Sequence, residues 1–561
     1  MNRARTRRAL ALLLVCALPL AACTALPKAS APARFDVSVP DSSQIRLSAE
    51  GPVDGSDPQT LVTDFLLACA AGAADDFATA RLFLTAESAQ AWAPQKQVLV
   101  YDTATRPVVT VEGDASASGS LEASVSVSGI ASVDSSGVLT RADSTPITKT
   151  LRLVKASGQW RIESPEDSFL VSRASFVASY ARADLYFPAT TGDALVPDPR
   201  WYPSRRLASH LLAGLVAGPS AAIGPAVRNA IPGGTTIPSG SVEAVGATAK
   251  VVLNAPVPEE GASRDLLVWQ IRKTLAQVPS ITEVSIDVPG VDLTKVASPT
   301  GPAYSLDTRI GLAEGAIGTI SASRVVPLDL DVHPGPGASS PAMSPVARDL
   351  VAWREGADLV VERTGEGGAR AVATVGGEDA PSIDRFGWTW SALSGGSAIA
   401  LDVSGAQVPF DAKALDGRVR RIAVSPDGAR ALLIGDARDP GLRMAPILRD
   451  ADGRPTGLGT VEPLAGVGAD VVDASWSGSG SFVVVRDRPG EGPESSGVEL
   501  AEVEVAGLVS SSTAPEGAVE VSAGSTAFNV CARTSDRSVH CRVGALWQDM
   551  PSSIVDIRFP G

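Results

Sequence analysis

Histidine, cysteine and lysine are scarce in this chain, and each scarcity closes off a class of function. The three histidines, His210, His333 and His540, are far apart in the sequence, and no CxxC spacing occurs. No metal site can therefore be read from ligand spacing. Basic residues number 48 against 62 acidic ones, for a net charge of −14, and aromatics make up only 5%. Nucleic-acid affinity rests on neutralising phosphates, so a chain this acidic, with no basic stripe interleaved with aromatics, excludes a nucleic-acid partner. There is no Gly-Lys dipeptide, hence no GxxxxGK[ST] phosphate loop. There is no G-x-S-x-G either, and His540 stands alone late in the chain, so a nucleophile elbow with its triad has no support. "GEGGAR" (Gly365 to Arg370) is too degenerate for a nucleotide loop and reads as a hairpin turn. The carboxylates are explained by solvated loops rather than a paired acid and base. The reading is of a protein that is not an enzyme, with no cofactor, no metal and no catalytic residue.

Long hydrophobic runs are also missing, except at the start. "MNRARTRRAL" is basic, and the apolar "ALALLLVCALPLAAC" that overlaps it ends in small residues. The apolar stretch is shorter than the roughly 18–20 residues of a membrane span and contains Pro19, which marks a secretory signal peptide over 1–22. Leu20-Ala21-Ala22-Cys23 resembles a bacterial lipobox, which implies that Cys23 is acylated and becomes the mature N-terminus. Each buried CH₂ of an acyl chain contributes about 0.8 kcal/mol, so two or three chains would anchor the protein to a membrane, on its outer side, without spanning it. Residues 23–57, rich in Pro, Ser and Ala, read as a flexible tether.

Of the five cysteines, Cys16 leaves with the signal peptide and Cys23 is the anchor. Cys69 falls on an apolar helical face and reads as a buried thiol. Cys531 and Cys541 flank "ARTSDRSVH", a hairpin signal. Pairing 534 with 538 also sets 531 opposite 541, which brings Cβ atoms within about 4.5–5.5 Å. An oxidising compartment favours a disulfide there over two free thiols.

The folded part is expected to be multidomain. At 58–165, Asp57 can cap a helix with Pro58 in its first turn, and Leu61, Val62, Phe65, Leu66 and Cys69 share one face. A second helical piece covers "DDFATARLFLTAESAQAW". Strand-like segments follow, the last turning at "ASGQ". Helices before a curved antiparallel sheet make an α+β unit that resembles the NTF2-like cone. At 180–292 comes an α/β unit. Ser204 can cap a helix carrying Leu207, Leu211, Leu212 and Leu215, which Gly218 and Pro219 stop. Ser263 can cap a second helix, "RDLLVWQIRKTLAQV".

The apolar stretch Leu211 to Ile237 is no membrane dive, because Pro219, Pro225 and Pro232 cut it short of a span. It reads as a core helix packed on a sheet. The pattern of helix, "GP", "IPGGT" and strand resembles the GerMN domain of bacterial surface and sporulation proteins.

From 300 to 561 helical periodicity vanishes. Short strands alternate with Gly, Asp and Ser turns, and a loose repeat places Ser344, Ser391, Ser425 and Ser477 at equivalent positions. The spacing fits a β-propeller of about six blades, or seven, at roughly 40–50 residues each. A pair of β-sandwiches is the alternative.

Lipobox, NTF2-like unit, "LVPDPRW" (Leu195 to Trp201), "IPGGT" (Ile231 to Thr235) and propeller, in that order, resemble the actinobacterial LpqB lipoprotein family over essentially the whole chain. The resemblance implies contact with the extracytoplasmic domain of a sensor histidine kinase of the MtrA–MtrB type, in signalling linked to cell wall and division. It carries no catalytic residue to this chain; only the lipobox cysteine transfers, to Cys23. The alternative function is a lipoprotein that binds cell-wall polymer or a small ligand.

Overall fold

Asp57 opens the fold as its chemistry requires. Its carboxylate accepts hydrogen bonds from the backbone N–H groups of Gln59 (3.0 Å) and Thr60 (3.1 Å), two of the donors a helix start leaves unpaired. The computed structural model describes residues 49–114, 119–238, 242–245, 247–365, 368–377, 379–467, 470–487 and 497–561. The signal peptide and Cys23 lie outside the described residues.

Helix α1 (Pro58–Asp75) buries Leu61, Val62, Phe65 and Cys69. It ends where Asp76 and Phe77 both take positive φ. That reversal folds the Phe77 ring back onto Gly72, where a Cβ would lie 2.3 Å from the ring. The stretch expected as one further helical piece is two short helices, α2 (Ala78–Arg81) and α3 (Ala86–Ala91). Between them the chain turns at Leu82 and Phe83 and then meets the sheet, with Phe83 and Thr85 exchanging backbone hydrogen bonds with Ile162. Pairing with the sheet and burial of Phe83 and Leu84 win over helix propensity.

The sheet contains β1 (Gln97–Tyr101), β2 (Val108–Glu112), β3 (Ser120–Asp134), β4 (Leu139–Ala156), β5 (Gln159–Glu163) and β6 (Phe169–Ser172). Its order is β5-β4-β3-β1-β6, with β2 also on β3. All pairs are antiparallel except β1 with β6. The sheet thus takes in residues beyond 165. After α4 (Arg173–Ser179), β7 (Tyr180–Pro188) and β8 (Leu195–Pro203) form an antiparallel hairpin that leads into the central domain.

That domain adds α5 (Leu207–Ala217), β9 (Val242–Val245), β10 (Thr248–Val252), α6 (Ala262–Leu275), β11 (Glu283–Val288) and β12 (Val291–Asp292). The sheet order is β12-β11-β10-β9, with β10 and β11 parallel and joined through α6. Leu211, Leu212 and Leu215 of α5 are fully buried. The serine caps expected for both helices are not used. Arg206, at φ 56°, turns the chain into α5, and Gly261, at φ 87°, into α6, neither with a side-chain cap. Ser204 still belongs to the hairpin side, its N–H bonded to the Ser179 carbonyl, and Ser263 is already inside α6. A left-handed residue redirects the chain here, which a search for capping side chains does not see.

The C-terminal domain is a propeller with six blades among the described residues, at 310–327, 338–374, 382–410, 419–463, 471–513 and 518–549. The last strand, Ile554–Arg558, pairs with Ile310–Ala313 and supplies the innermost strand of the first blade. First and last segments of the domain are thereby hydrogen-bonded, and the ring closes. Neighbouring blades bury aliphatic and aromatic residues against each other, as with Trp390, Phe410, Ile422 and Leu433 between the third and fourth.

The repeat needs one correction: Ser391 is not equivalent to Ser344 and Ser425. It sits within the second strand of its blade, Thr389–Ala392, whereas Ser344 and Ser425 follow innermost strands. The equivalent residue in the third blade is Asp384. All three hold the same turn: the Ser344 hydroxyl accepts from Val346 and Ala347 N–H, the Asp384 carboxylate from Phe386 and Trp388, and the Ser425 hydroxyl from Arg430. Asp and Ser both mimic the backbone acceptor of a turn, so an identity-based repeat shifts register.

In the sixth blade Cys531 faces Cys541 across a hairpin, the two joined Sγ to Sγ with Cα atoms 4.0 Å apart. Cys69 is a buried free thiol.

Leu211→Asp places an unpaired charge where no solvent reaches, a cost of several kcal/mol. The expected outcome is loss of the cooperative melt of the central domain, read by circular dichroism. An unchanged melting curve would contradict the core position of this helix.

Candidate functional site: the junction of three domains

The strand β8 carries "LVPDPRW", and every residue from Val196 to Tyr202 is buried. A two-stranded hairpin leaves β8 with a free edge. Pro197 and Pro199 share one parity of the strand, so neither withholds an N–H that the ladder with β7 needs. The outward groups of that parity are used by other domains. The Pro197 carbonyl accepts from Arg430 Nη2 of the propeller, and the Trp201 N–H donates to the Gly137 carbonyl of the N-terminal domain (2.8 Å).

The other parity carries Asp198 and Arg200, both 3% exposed. Asp198 Oδ2 accepts from Arg200 Nη2 (2.6 Å) and from the Ser220 N–H (2.7 Å), and its Oδ1 accepts from the Ser220 hydroxyl (2.8 Å). Arg200 Nη1 reaches the carbonyl and hydroxyl of Ser136 at 3.2 Å each. Tyr202 donates to the same Ser136 carbonyl (3.0 Å). One ion pair is therefore shared between the turn joining β3 to β4 and the loop after α5. Gly137 at the tip of that turn has φ 84°, and a Cβ there would stand 2.9 Å from both the Trp201 carbonyl and the Tyr202 ring.

The propeller closes the third side. Trp201 Nε1 donates to the Ala506 carbonyl (2.9 Å). Arg141, on β4, donates to the carbonyls of Ala465, Glu504 and Gly507 at 2.9–3.0 Å, and burial lowers its pKa to about 10. Arg385, 8% exposed, makes a two-pronged contact with Asp193 (2.6 and 2.8 Å) and lies 3.9 Å from the centroid of Phe386. The Arg385 guanidinium holds the Asp193 carboxyl at about 2, below its ordinary 3.8.

A cavity of about 860 Å³ opens where the three domains meet. Its size is that of a ligand pocket. The turn at 134–141, α5 with the loop after it, and propeller segments near 444, 460–465 and 505 line it.

Sequence reasoning singled out "LVPDPRW" without giving it a task, and it missed Ser136, Ser220, Arg141 and Arg430. The available signal was charge in apolar strands: Asp198 and Arg200 within β8, and Arg430 at the head of "RALLIG". His540 Nδ1 lies 2.8 Å from Asp549 on the sixth blade, and neither residue lines the cavity. Among the described residues no group of three or more His, Cys, Asp or Glu could hold a metal ion.

These features define a multidomain protein with an N-terminal α+β domain, a central module of the sporulation and germination type, and a C-terminal β-propeller. Family profiles match in that order: "Lipoprotein LpqB, N-terminal domain" over 51–177, "Sporulation and spore germination" (Germane) over 184–294, and "Lipoprotein LpqB beta-propeller domain" over 315–560. The chain belongs to the LpqB lipoprotein family.

Relatives named lipoprotein LpqB include those of Mycobacterium ulcerans (28% identical, 85% of this chain and 86% of the relative) and Bifidobacterium longum (27%, 78% and 79%). That of Nocardia farcinica is 25% identical over 84% of each. Among solved structures, TolB from Acinetobacter baumannii aligns over 70% of this chain and 88% of its own, at 13% identity and a TM-score of 0.34, too loose a likeness to argue from. The family name marks a membrane-associated lipoprotein, and no helix among the described residues is long and apolar enough to cross a membrane.

Asp198→Ala leaves the Arg200 guanidinium buried without its counter-charge, at a cost of about 3–5 kcal/mol. Denaturant unfolding should show a loss of that order, while Ser220→Ala costs about 1 kcal/mol. Equal effects would contradict the shared ion pair.

Asp193 has a depressed folded-state pKa. Its contact with Arg385 therefore contributes fully above the ordinary 3.8 and is lost as pH falls through about 2. The stability difference between wild type and Asp193→Asn should be present at neutral pH and shrink on acidification across that window, as read by paired urea melts. A difference that grows toward acid would contradict the assignment.

Proposed function

We propose that this protein is a lipid-anchored accessory protein on the extracytoplasmic face of the membrane. It is acylated at Cys23 and modulates a two-component sensor histidine kinase of the MtrA–MtrB type through protein contact. Family membership supports the anchor. The observation that carries the contact reading is how the buried charges are used. Arg200, Arg385 and Arg141 are each committed to holding one domain against another, and Asp198 neutralises Arg200 there. Groups that elsewhere would do chemistry here build a single three-domain surface, and binding is what such a surface offers. The pairing of Cys531 with Cys541 as a disulfide suits an oxidising compartment outside the cytoplasm.

The cavity at the junction favours a second reading, a lipoprotein that binds cell-wall polymer or a small ligand. One set of preparations separates the two. Wild-type protein should fractionate with membranes and Cys23→Ser with the soluble phase, and crosslinking in intact cells should recover a sensor kinase. Retention on purified peptidoglycan without any kinase among the crosslinked partners favours the second reading. Cys23→Ser still sedimenting with membranes would remove the acyl anchor from the account.

A further inference from the structure

The cavity at the three-domain junction has a composition that selects its occupant. Its arginines are turned to structural work: Arg141 donates to three propeller carbonyls, and Arg200 to Asp198 and Ser136. His210, stacked on Tyr202 with ring centroids 5.7 Å apart, is kept neutral because burial, reinforced by Arg206, lowers its pKa. The charged side chains left exposed on the walls are acids: Asp134 from the N-terminal domain and Glu462 from the propeller.

Between them α5 presents Ala213 and Ala217, both exposed, beside Gly214 and Gly218. Small side chains let another main chain approach closely. Arg430 lines the same groove at 1% exposure. Its Nε and Nη1 have no hydrogen-bond acceptor among the described residues, and Asp427 stands off at 3.7 Å. An anion in this groove would meet the two exposed acids, whereas a basic segment is attracted by them.

We propose that this groove docks an extended, basic segment of the partner protein, with small or apolar residues over Ala213 and Ala217 and a Lys or Arg toward Glu462. The inference rests on the partner-contact reading above and adds where and how contact is made. Charge complementarity of this kind acts on encounter and specificity and weakens as salt rises.

The test uses the full lipidated chain in membranes, with the photoreactive residue benzoylphenylalanine placed at Ala213 or, as a control, at the exposed Leu546 of the sixth blade. The expected result is a crosslink from position 213, and not from 546, to a Lys- or Arg-bearing segment of the sensor kinase's outer domain. Glu462→Lys should reduce that yield severalfold, and added salt should do the same. A kinase crosslink from 546 but not 213 overturns the groove and leaves the partner reading standing. No kinase crosslink from either position overturns both. A crosslink from 213 that is indifferent to Glu462→Lys and to salt overturns the charge argument.

Discussion

The placement of the N-terminal domain against the central domain is tied to the buried ion pair between Asp198 and Arg200. Removing two charges from water costs several kcal/mol for each ion, and their attraction offsets this only when the remaining lone pairs and protons are also satisfied. Here the central domain satisfies Asp198, and Arg200 takes further acceptors from the N-terminal domain. Asp198 needs the hydroxyl and N–H of Ser220, and Arg200 needs Ser136 on the other side. If the N-terminal domain separates, Arg200 loses Ser136, while Asp198 keeps Ser220 of its own domain. A polar network that is half satisfied is worse than none, so this cluster favours one mutual placement and penalises others.

The propeller gives that cluster a platform. Ring closure by the last strand ties its first and last segments together. The turns after innermost strands and the outer-strand turns then hold Arg385, Gly480 and Ala506 in position for the other domains. Arg141, Arg182 and Trp201 each donate to backbone carbonyls of those turns. Backbone acceptors are available whatever the local side chains. Those contacts ask for turn geometry, whereas the contacts of Arg385 and Arg430 depend on the particular propeller side chain.

Parts of the fold were legible because their signals are local. The cap at Asp57 with Pro58, the apolar face of α1, the leucines of α5 and the opposed positions 531 and 541 each depend on residues a few places apart. The errors have a common cause. Ser204 and Ser263 have capping chemistry, but backbone geometry at Arg206 and Gly261 starts the helices. Ser391 has the right identity at the wrong point of its blade, and Asp384 does the turn's work with a different side chain. The piece expected as a single helix is interrupted because Ile162, far along the chain, pairs with it.

The sequence by itself determined the order of bodies, their classes and the absence of recognised catalytic motifs, because caps, periodicity, turn chemistry and motif spacing are properties of neighbouring residues. It also marked "LVPDPRW" as unusual. What that segment is for was decided only by tertiary structure. Asp198, Ser136, Ser220, Trp201 and Ala506 come from segments hundreds of residues apart at the extremes, and no periodicity links them. Whether a buried charge is a liability or a clasp depends on which partners the fold brings within hydrogen-bond distance, and only the assembled domains supply them.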